Sequence, residues 1–233
     1  MKKIICAVCF GFYAMALNAA PISFTNSSYQ TAAVALAGDV TNSNSDSSPP
    51  RDLPLLTKAD ATADSGIASA EGTAETGLLG ARADVSSSLN NASALGSSEF
   101  TGEFLGSVGK IRLFADFFAD GSADGDGSQD NQLAIRLISN GVTLLDEVLT
   151  ATGLFDRTFD LSFGTLNVLD ILLLSSADVT NGSAQSIASA NFSLTSNDVS
   201  ETPMLALFAL GLLSLVSSRR REPVSLIHKR EIR

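Results

Sequence analysis

Apolar and polar residues alternate with a period of two along much of the second half of the chain. In K-I-R-L-F-A-D-F-F-A-D, the residues Ile111, Leu113, Ala115 and Phe117 fall on one face. This is the period of a β-strand with one face on a core. Two further segments alternate in the same way, T-F-D-L-S-F and A-S-A-N-F-S-L, and two predict more deeply buried strands, Q-L-A-I-R-L-I-S and N-V-L-D-I-L-L-L.

The first half of the chain gives weaker signals. Residues 29–40 fit a strand or a helix, with the strand favoured, and residues 41–52 have the composition of a loop. Residues 58–98 alternate small apolar with polar residues, which predicts thin strands that are exposed or partly disordered. We therefore expect an all-β sandwich of jelly-roll type over residues 20–198, less well defined over residues 20–100.

The N-terminus has the layout of a secretory signal peptide. Lys2 and Lys3 precede an apolar core over residues 4–13, and small residues offer cleavage sites after Ala16 or Ala19. Residues 1–19 are thus predicted to be a removed signal helix, with an N-terminal membrane anchor as the alternative.

Both cysteines of the chain lie inside this signal segment. Cys6 and Cys9 form a C-x-x-C spacing, but no βαβ pattern surrounds it. We therefore expect an exported chain without disulfides or thiol chemistry.

The C-terminus carries a short apolar run followed by three arginines. Residues 204–216 contain no charge. The arginines that follow, Arg219, Arg220 and Arg221, are typical of a stop-transfer signal whose basic end stays on the cytoplasmic side of the membrane. A bilayer core needs about 20 apolar helical residues, so the run is short for a stable anchor. The alternative is a buried C-terminal helix of a globular domain.

The two ends together resemble the PEP-CTERM sorting proteins of Gram-negative bacteria. The segment L-A-L-F-A-L-G-L-L at residues 205–213 resembles the short hydrophobic helix of that family, and the three arginines resemble its basic end. Thr202 stands where the family has a proline. The resemblance covers residues 199–222 and leaves 223–233 as a basic tail. The residues that match the sorting motif are Val199, Ser200, Glu201, Thr202 and Pro203.

This resemblance implies recognition by an exosortase, a membrane transpeptidase that cleaves near the motif and passes the protein on to the cell surface. The expected route is export, a precursor anchored in the inner membrane, and release to the cell surface or extracellular matrix. We expect a non-enzymatic surface or matrix protein associated with exopolysaccharide.

Charge narrows the choice of partners. Residues 20–200 contain 22 acidic and seven basic side chains, a net charge of −15. Such a charge keeps an exported protein soluble and argues against nucleic acid or an anionic membrane surface as a partner.

Carboxylates are the main candidates for chemistry. The chain has one histidine, His228, in the predicted discarded tail, so histidine-based catalysis and metal binding are not expected in the body. Oxygen ligands on the glycine-rich segment 119–131 suit Ca²⁺, although Leu133 stands where an EF-hand needs glutamate. The alternative is a solvated hairpin loop without a cofactor. The four candidate ligands are Asp120, Asp124, Asp126 and Asp130.

The sequence leaves two other functions open. A calcium- or carbohydrate-binding β-sandwich module is the alternative function, although the chain has no tryptophan and most phenylalanines are predicted to face the core. A glycoside hydrolase built on paired carboxylates is less favoured, because each candidate also fits a turn or strand edge. Its candidates are Asp146, Glu147, Asp156 and Asp160.

Overall fold

The computed structural model describes residues 20–63, 66–106, 109–162 and 164–196. Here the chain forms antiparallel β-strands and one short 3-10 helix, Pro50–Asp52; no helix in this part is long and apolar enough to cross a membrane. The predicted signal peptide and sorting segment lie outside these residues. The strands are β1 Ala20–Pro21, β2 Asn26–Ala37, β3 Val40–Ser48, β4 Leu55–Ala63, β5 Gly66–Glu75, β6 Leu78–Ser87, β7 Ala92–Leu105, β8 Gly109–Gly125, β9 Ser128–Ser139, β10 Val142–Leu149, β11 Gly153–Leu161, β12 Leu166–Val179 and β13 Gly182–Ser196.

The strands form two antiparallel sheets that face each other. Sheet A has the order β11-β8-β13-β6-β5-β4, with β1 beside the end of β13, and sheet B has the order β10-β9-β12-β7-β2-β3. Strands β6 to β13 alternate between the sheets, except that β9 and β10 form a hairpin within sheet B. Strands β12 and β13 are each inserted between earlier strands, which gives the double Greek key of a jelly roll. The predicted all-β, jelly-roll-like sandwich is therefore confirmed, with β2 to β5 widening both sheets.

The first half of the chain is more regular than its composition suggests. Residues 29–40 contain most of β2, so the strand prediction is confirmed. The loop predicted for residues 41–52 was wrong, because residues 40–48 form β3. Gly38, with φ of 55°, turns the chain so that β3 pairs with β2 from Ala37↔Val40 to Tyr29↔Ser48.

The interior is divided into two clusters of different side-chain size. One holds most of the large side chains, among them Phe100, Phe104, Phe117 and Leu169. The other consists almost wholly of alanine: Ala33, Ala35, Ala37, Ala59, Ala61, Ala68, Ala70, Ala83, Val85, Ala92, Ala94, Ala177, Val179 and Ala184. We call these the large-residue half and the alanine half.

The alanine half corrects the expectation for residues 58–98. These residues form β4 to β7, and Ala68, Ala70 and Ala83 on their inner faces are completely buried. The prediction of thin, exposed or partly disordered strands was wrong, because the opposite sheet lies close enough to bury a methyl group fully.

Two glycines mark how closely the sheets approach. A Cβ on Gly96 of β7 would overlap the carbonyl oxygen of Glu71 in β5 and lie 2.6 Å from that of Arg82 in β6. A Cβ on Gly72 of β5 would likewise overlap the carbonyl oxygen of Ser97. The backbones of the two sheets are thus in direct contact here, whereas sheets usually stack about 10 Å apart.

Hydrogen bonds join the sheets beside this contact. The hydroxyl oxygens of Thr31 in β2 and Thr57 in β4 are 2.5 Å apart, and both residues are buried. The Ser98 hydroxyl lies 2.8 Å from the carbonyl oxygen of Thr73 and 2.5 Å from that of Gly80, so it donates across the interior. These three buried hydroxyls are tolerated because each finds a hydrogen-bond partner in the other sheet.

Aromatic rings fill the large-residue half. The ring centroid of Phe100 lies 5.1 Å from Phe24, 4.9 Å from Tyr29 and 4.9 Å from Phe192 of the opposite sheet. The Tyr29 hydroxyl accepts a hydrogen bond from the Gly77 backbone N–H at 3.1 Å. Burial raises the pKa of Tyr29, because the phenolate would lose its hydration.

The backbone contact predicts an unusually severe effect of one methyl group. In the full chain, Gly96→Ala should lower the free energy of unfolding by about 3 kcal/mol or more, because neither facing backbone can move aside. Gly153→Ala is the matched control, since a Cβ there would lie 3.7 Å from the Ala151 carbonyl oxygen, an ordinary van der Waals contact. Urea unfolding measures both; similar stabilities for the two variants would contradict the close approach.

Candidate functional site

The four candidate aspartates do not share one hairpin loop. Asp120 and Asp124 belong to β8 and Asp130 to β9, while Asp126 lies in the short connection between them. The hairpin expected as the alternative to calcium binding was wrong, because β8 pairs with β13 as far as Gly125 and β9 lies in the other sheet. The connection between β8 and β9 therefore crosses from sheet A to sheet B beside the alanine half.

Three of these carboxylates make only local contacts. All three are exposed, and each accepts a hydrogen bond from a residue one or two positions away in the chain. The bonds are Gly121 N–H to Asp120 at 2.8 Å, Gly125 N–H to Asp124 at 2.8 Å, and the Gln132 amide to Asp130 at 2.6 Å.

Asp126 makes long-range contacts instead. Its Oδ1 accepts hydrogen bonds from the backbone N–H groups of Thr180, at 3.0 Å, and Asn181, at 2.7 Å. Its own N–H donates to the Asn181 carbonyl oxygen at 3.1 Å. Asp126 thereby ties the β8–β9 connection to the turn between β12 and β13.

A notch of about 270 Å³ lies beside this turn. Asp126, Ser128, Asp178 and Thr180 are among the residues that line it. Over the residues that the structure describes, no three His, Cys, Asp or Glu side chains are gathered as a metal site requires. Calcium binding by the four aspartates stays a prediction, and the contacts present give Asp126 a structural role.

Two of the carboxylates weighed for glycoside hydrolysis are held by arginines. Arg112 Nε donates to Asp156 at 2.7 Å, and Arg157 lies 2.8 Å from Glu147. The hydrogen bond from Arg112 keeps the pKa of Asp156 below its ordinary value. A general acid needs the opposite shift, so this environment favours a surface ion pair.

The outer face of β8 carries aromatic side chains that the sequence analysis overlooked. Phe118 is 48% exposed and Phe114 is partly buried, with Asp116 between them. On the neighbouring β13, Asn191 stands opposite Asp116 and Ser189 opposite Phe118. Four residues along a strand span about 13 Å, so the two ring positions are separated by roughly that distance. We call Phe114, Asp116, Phe118 and Asn191 the β8 outer strip.

Small side chains surround Phe118 on the outer face of sheet A. Ser189 is followed across the sheet by Gly80 and then by Thr73. The outer face of sheet A therefore has no large side chain on this side of the Phe118 ring. The signal for this strip was present in the sequence, because the alternation that buries Phe117 turns Phe114 and Phe118 outward.

Comparison with known proteins gives little further information. No family model and no curated protein matches this chain. A solved structure that does match is that of TmCBM61 in complex with β-1,4-galactotriose, with 11% sequence identity and a TM-score of 0.26, over 60% of this chain and 88% of that chain.

The structural role of Asp126 leads to a prediction that needs no metal. With chelator present, Asp126→Ala in the full chain should lose about 1 kcal/mol of unfolding free energy, because two exposed backbone N–H groups exchange a charged acceptor for water. Asp126→Asn keeps an acceptor oxygen and should lose less. Asp124→Ala is the control and should stay near wild type, since Asp124 binds only the adjacent N–H. An unchanged Asp126→Ala variant would contradict this role.

The same variants test calcium. If the four aspartates bind Ca²⁺, millimolar calcium should raise the wild-type melting temperature by a few degrees, because the ion would bind only the folded state. Asp124→Ala should then abolish the increase while leaving the melting temperature in chelator unchanged. Equal wild-type melting temperatures in calcium and in chelator would refute the calcium prediction.

Proposed function

We propose that this is an exported, non-enzymatic surface or extracellular-matrix protein that is sorted by a PEP-CTERM-like signal. All of the described strands lie between the predicted signal cleavage sites and the sorting motif at residues 199–203. Both proposed cuts would therefore leave the described sandwich intact, which supports this proposal.

In the proposed route, residues 204–216 hold the precursor in the inner membrane with Arg219 to Arg221 on the cytoplasmic side. An exosortase then cuts near Glu201 to Pro203 and passes the body to the surface. The proline supports recognition, because it favours extended backbone in the residue before it. The net charge of −15 would keep the released body soluble.

The proposal predicts a defined C-terminus. Mass spectrometry of the protein released at the cell surface should show an end between Glu201 and Pro203. Glu201→Ala should leave uncut precursor in the membrane fraction, whereas Asp198→Ala, just outside the motif, should be processed normally. A released protein that still ends at Arg233 would contradict the proposal.

A second candidate function, carbohydrate binding, is favoured by the β8 outer strip. An exposed ring such as Phe118 can stack on the C–H face of a pyranose, and Asp116 and Asn191 can hydrogen-bond to its hydroxyls. The negative charge of the body favours a neutral polysaccharide over an anionic one. This surface would let a matrix protein attach to extracellular polysaccharide.

Substitutions on the outer face of sheet A test this candidate. Phe118→Ala should weaken binding of the neutral fraction of the host's extracellular polysaccharide by about tenfold, since stacking is worth on the order of 1 kcal/mol or more. Ile67→Ala is the control, because Ile67 is an exposed apolar residue on β5 of the same face. Calorimetry measures both; equal binding by Phe118→Ala and wild type would remove the strip as the site.

A further inference from the structure

One row of outward-facing residues crosses sheet A without a charged side chain. Phe118 of β8 stands beside Ser189 of β13, and Ser189 beside Gly80 of β6. Gly80 stands beside Thr73 of β5, and Thr73 beside Leu56 of the edge strand β4. We call Phe118, Ser189, Gly80, Thr73 and Leu56 the neutral band.

The neutral band has a large apolar side chain at each end and small residues between them. Phe118 and Leu56 are both exposed. The Thr73 side chain leans over Gly80, since a Cβ on Gly80 would overlap the Thr73 Oγ1. The middle of the band therefore presents hydroxyl groups close to the sheet, between two apolar side chains.

The rows on both sides of the neutral band carry charges. On one side, Asp116 stands beside Asn191, and the same row ends two strands further at Glu75. The row on the other side contains Asp120, Arg82, Glu71 and Lys58. In a body with a net charge of −15, an uncharged row across the sheet favours an uncharged ligand, and the flanking polar groups can hydrogen-bond to ligand hydroxyls.

The same distribution of charge favours one direction for a long ligand. Along β8, Phe118 lies between Asp116 and Asp120, so a ligand that follows this strand passes directly over carboxylates. A ligand that crosses the strands from Phe118 to Leu56 passes over no charged residue. The neutral band therefore suits a chain that lies across the strands of sheet A.

Strand spacing sets the length of such a chain. Neighbouring strands lie about 4.8 Å apart, so the five strands from β8 to β4 span about 19 Å. A pyranose unit in an extended chain has nearly the length of one strand spacing, so about four units fit between Phe118 and Leu56. The C–H faces of the end units can lie on these two side chains while the hydroxyls point to the flanking rows.

We propose that the neutral band binds a linear, neutral polysaccharide that lies across the strands of sheet A, with about four sugar units between Phe118 and Leu56. This inference rests on the carbohydrate-binding function proposed above and adds the class of polysaccharide, its direction and the number of units bound. Phe118 stacks on one end unit and Leu56 contacts the other. The hydroxyls of Ser189 and Thr73 face the units between them.

The dependence of binding on chain length tests the number of units. The neutral fraction of the host's extracellular polysaccharide would be partly hydrolysed and separated into fragments of two, four and six units, and calorimetry would measure the binding of each to the full chain. Four units should bind at least about tenfold more tightly than two, because only the longer fragment reaches both ends of the band. Six units should bind little more tightly than four. Equal affinities for two and four units would overturn the inference.

Variants at the far end of the band test the direction. Leu56→Ala should weaken binding of the four-unit fragment by about threefold and leave the two-unit fragment unchanged, because a short fragment held at Phe118 does not reach β4. Ile67→Ala is the matched control, since it removes an exposed apolar side chain from β5 outside the band. A ligand that lies along β8 would lose affinity with Phe114→Ala and not with Leu56→Ala, which would overturn the inference.

The inference and the function on which it rests fail in different ways. Binding that needs Phe118 but not Leu56, at every fragment length, would overturn the neutral band and leave carbohydrate binding by the β8 outer strip in place. No binding of the fragments or of the intact polysaccharide would overturn carbohydrate binding itself, and the neutral band with it.

Discussion

The direct contact between the backbones of the two sheets at Gly72 and Gly96 is the constraint on which this sandwich depends. No side chain separates β5 from β7 at these two glycines. The space between the two sheets in the alanine half can therefore hold little more than methyl groups. The alanine half follows from that spacing. An alanine methyl buries little apolar area, so this half relies on many close contacts with few voids.

The hydroxyls of Thr31, Thr57 and Ser98 fit the same spacing, because a short side chain can reach across only where the sheets are close. They fix the two sheets against sliding, which non-directional apolar contacts alone do not do. The large-residue half, with Phe100 between rings of both sheets, contains the larger buried apolar side chains. The large-residue half therefore provides most of the hydrophobic driving force, and the hydroxyls near the glycine contact fix the register of the two sheets.

Much of the fold could be predicted from local patterns. The apolar pattern predicted β8, β9, β11, β12 and β13 but not β10, and the alternation in β8 already implied that Phe114 and Phe118 face outward. The pattern failed for β3, whose Ser and Asn residues also suit turns, because pairing with β2 decides its conformation. It also failed for the alanine strands, since the width of the gap between sheets is a tertiary property. The role of Asp126 depends on a turn 54 residues away, which no local pattern contains.

The pairing of β1 with the end of β13 has a mechanical consequence. Ala20 stands opposite Ser196, so the two ends of the described sandwich lie side by side. A pull on the chain at residue 196 is transmitted along β13, which is hydrogen-bonded on one side to β8 and on the other to β6. Tension along that axis loads both ladders in shear, with many bonds sharing the force. The body is thus built to resist being drawn out by its C-terminal end.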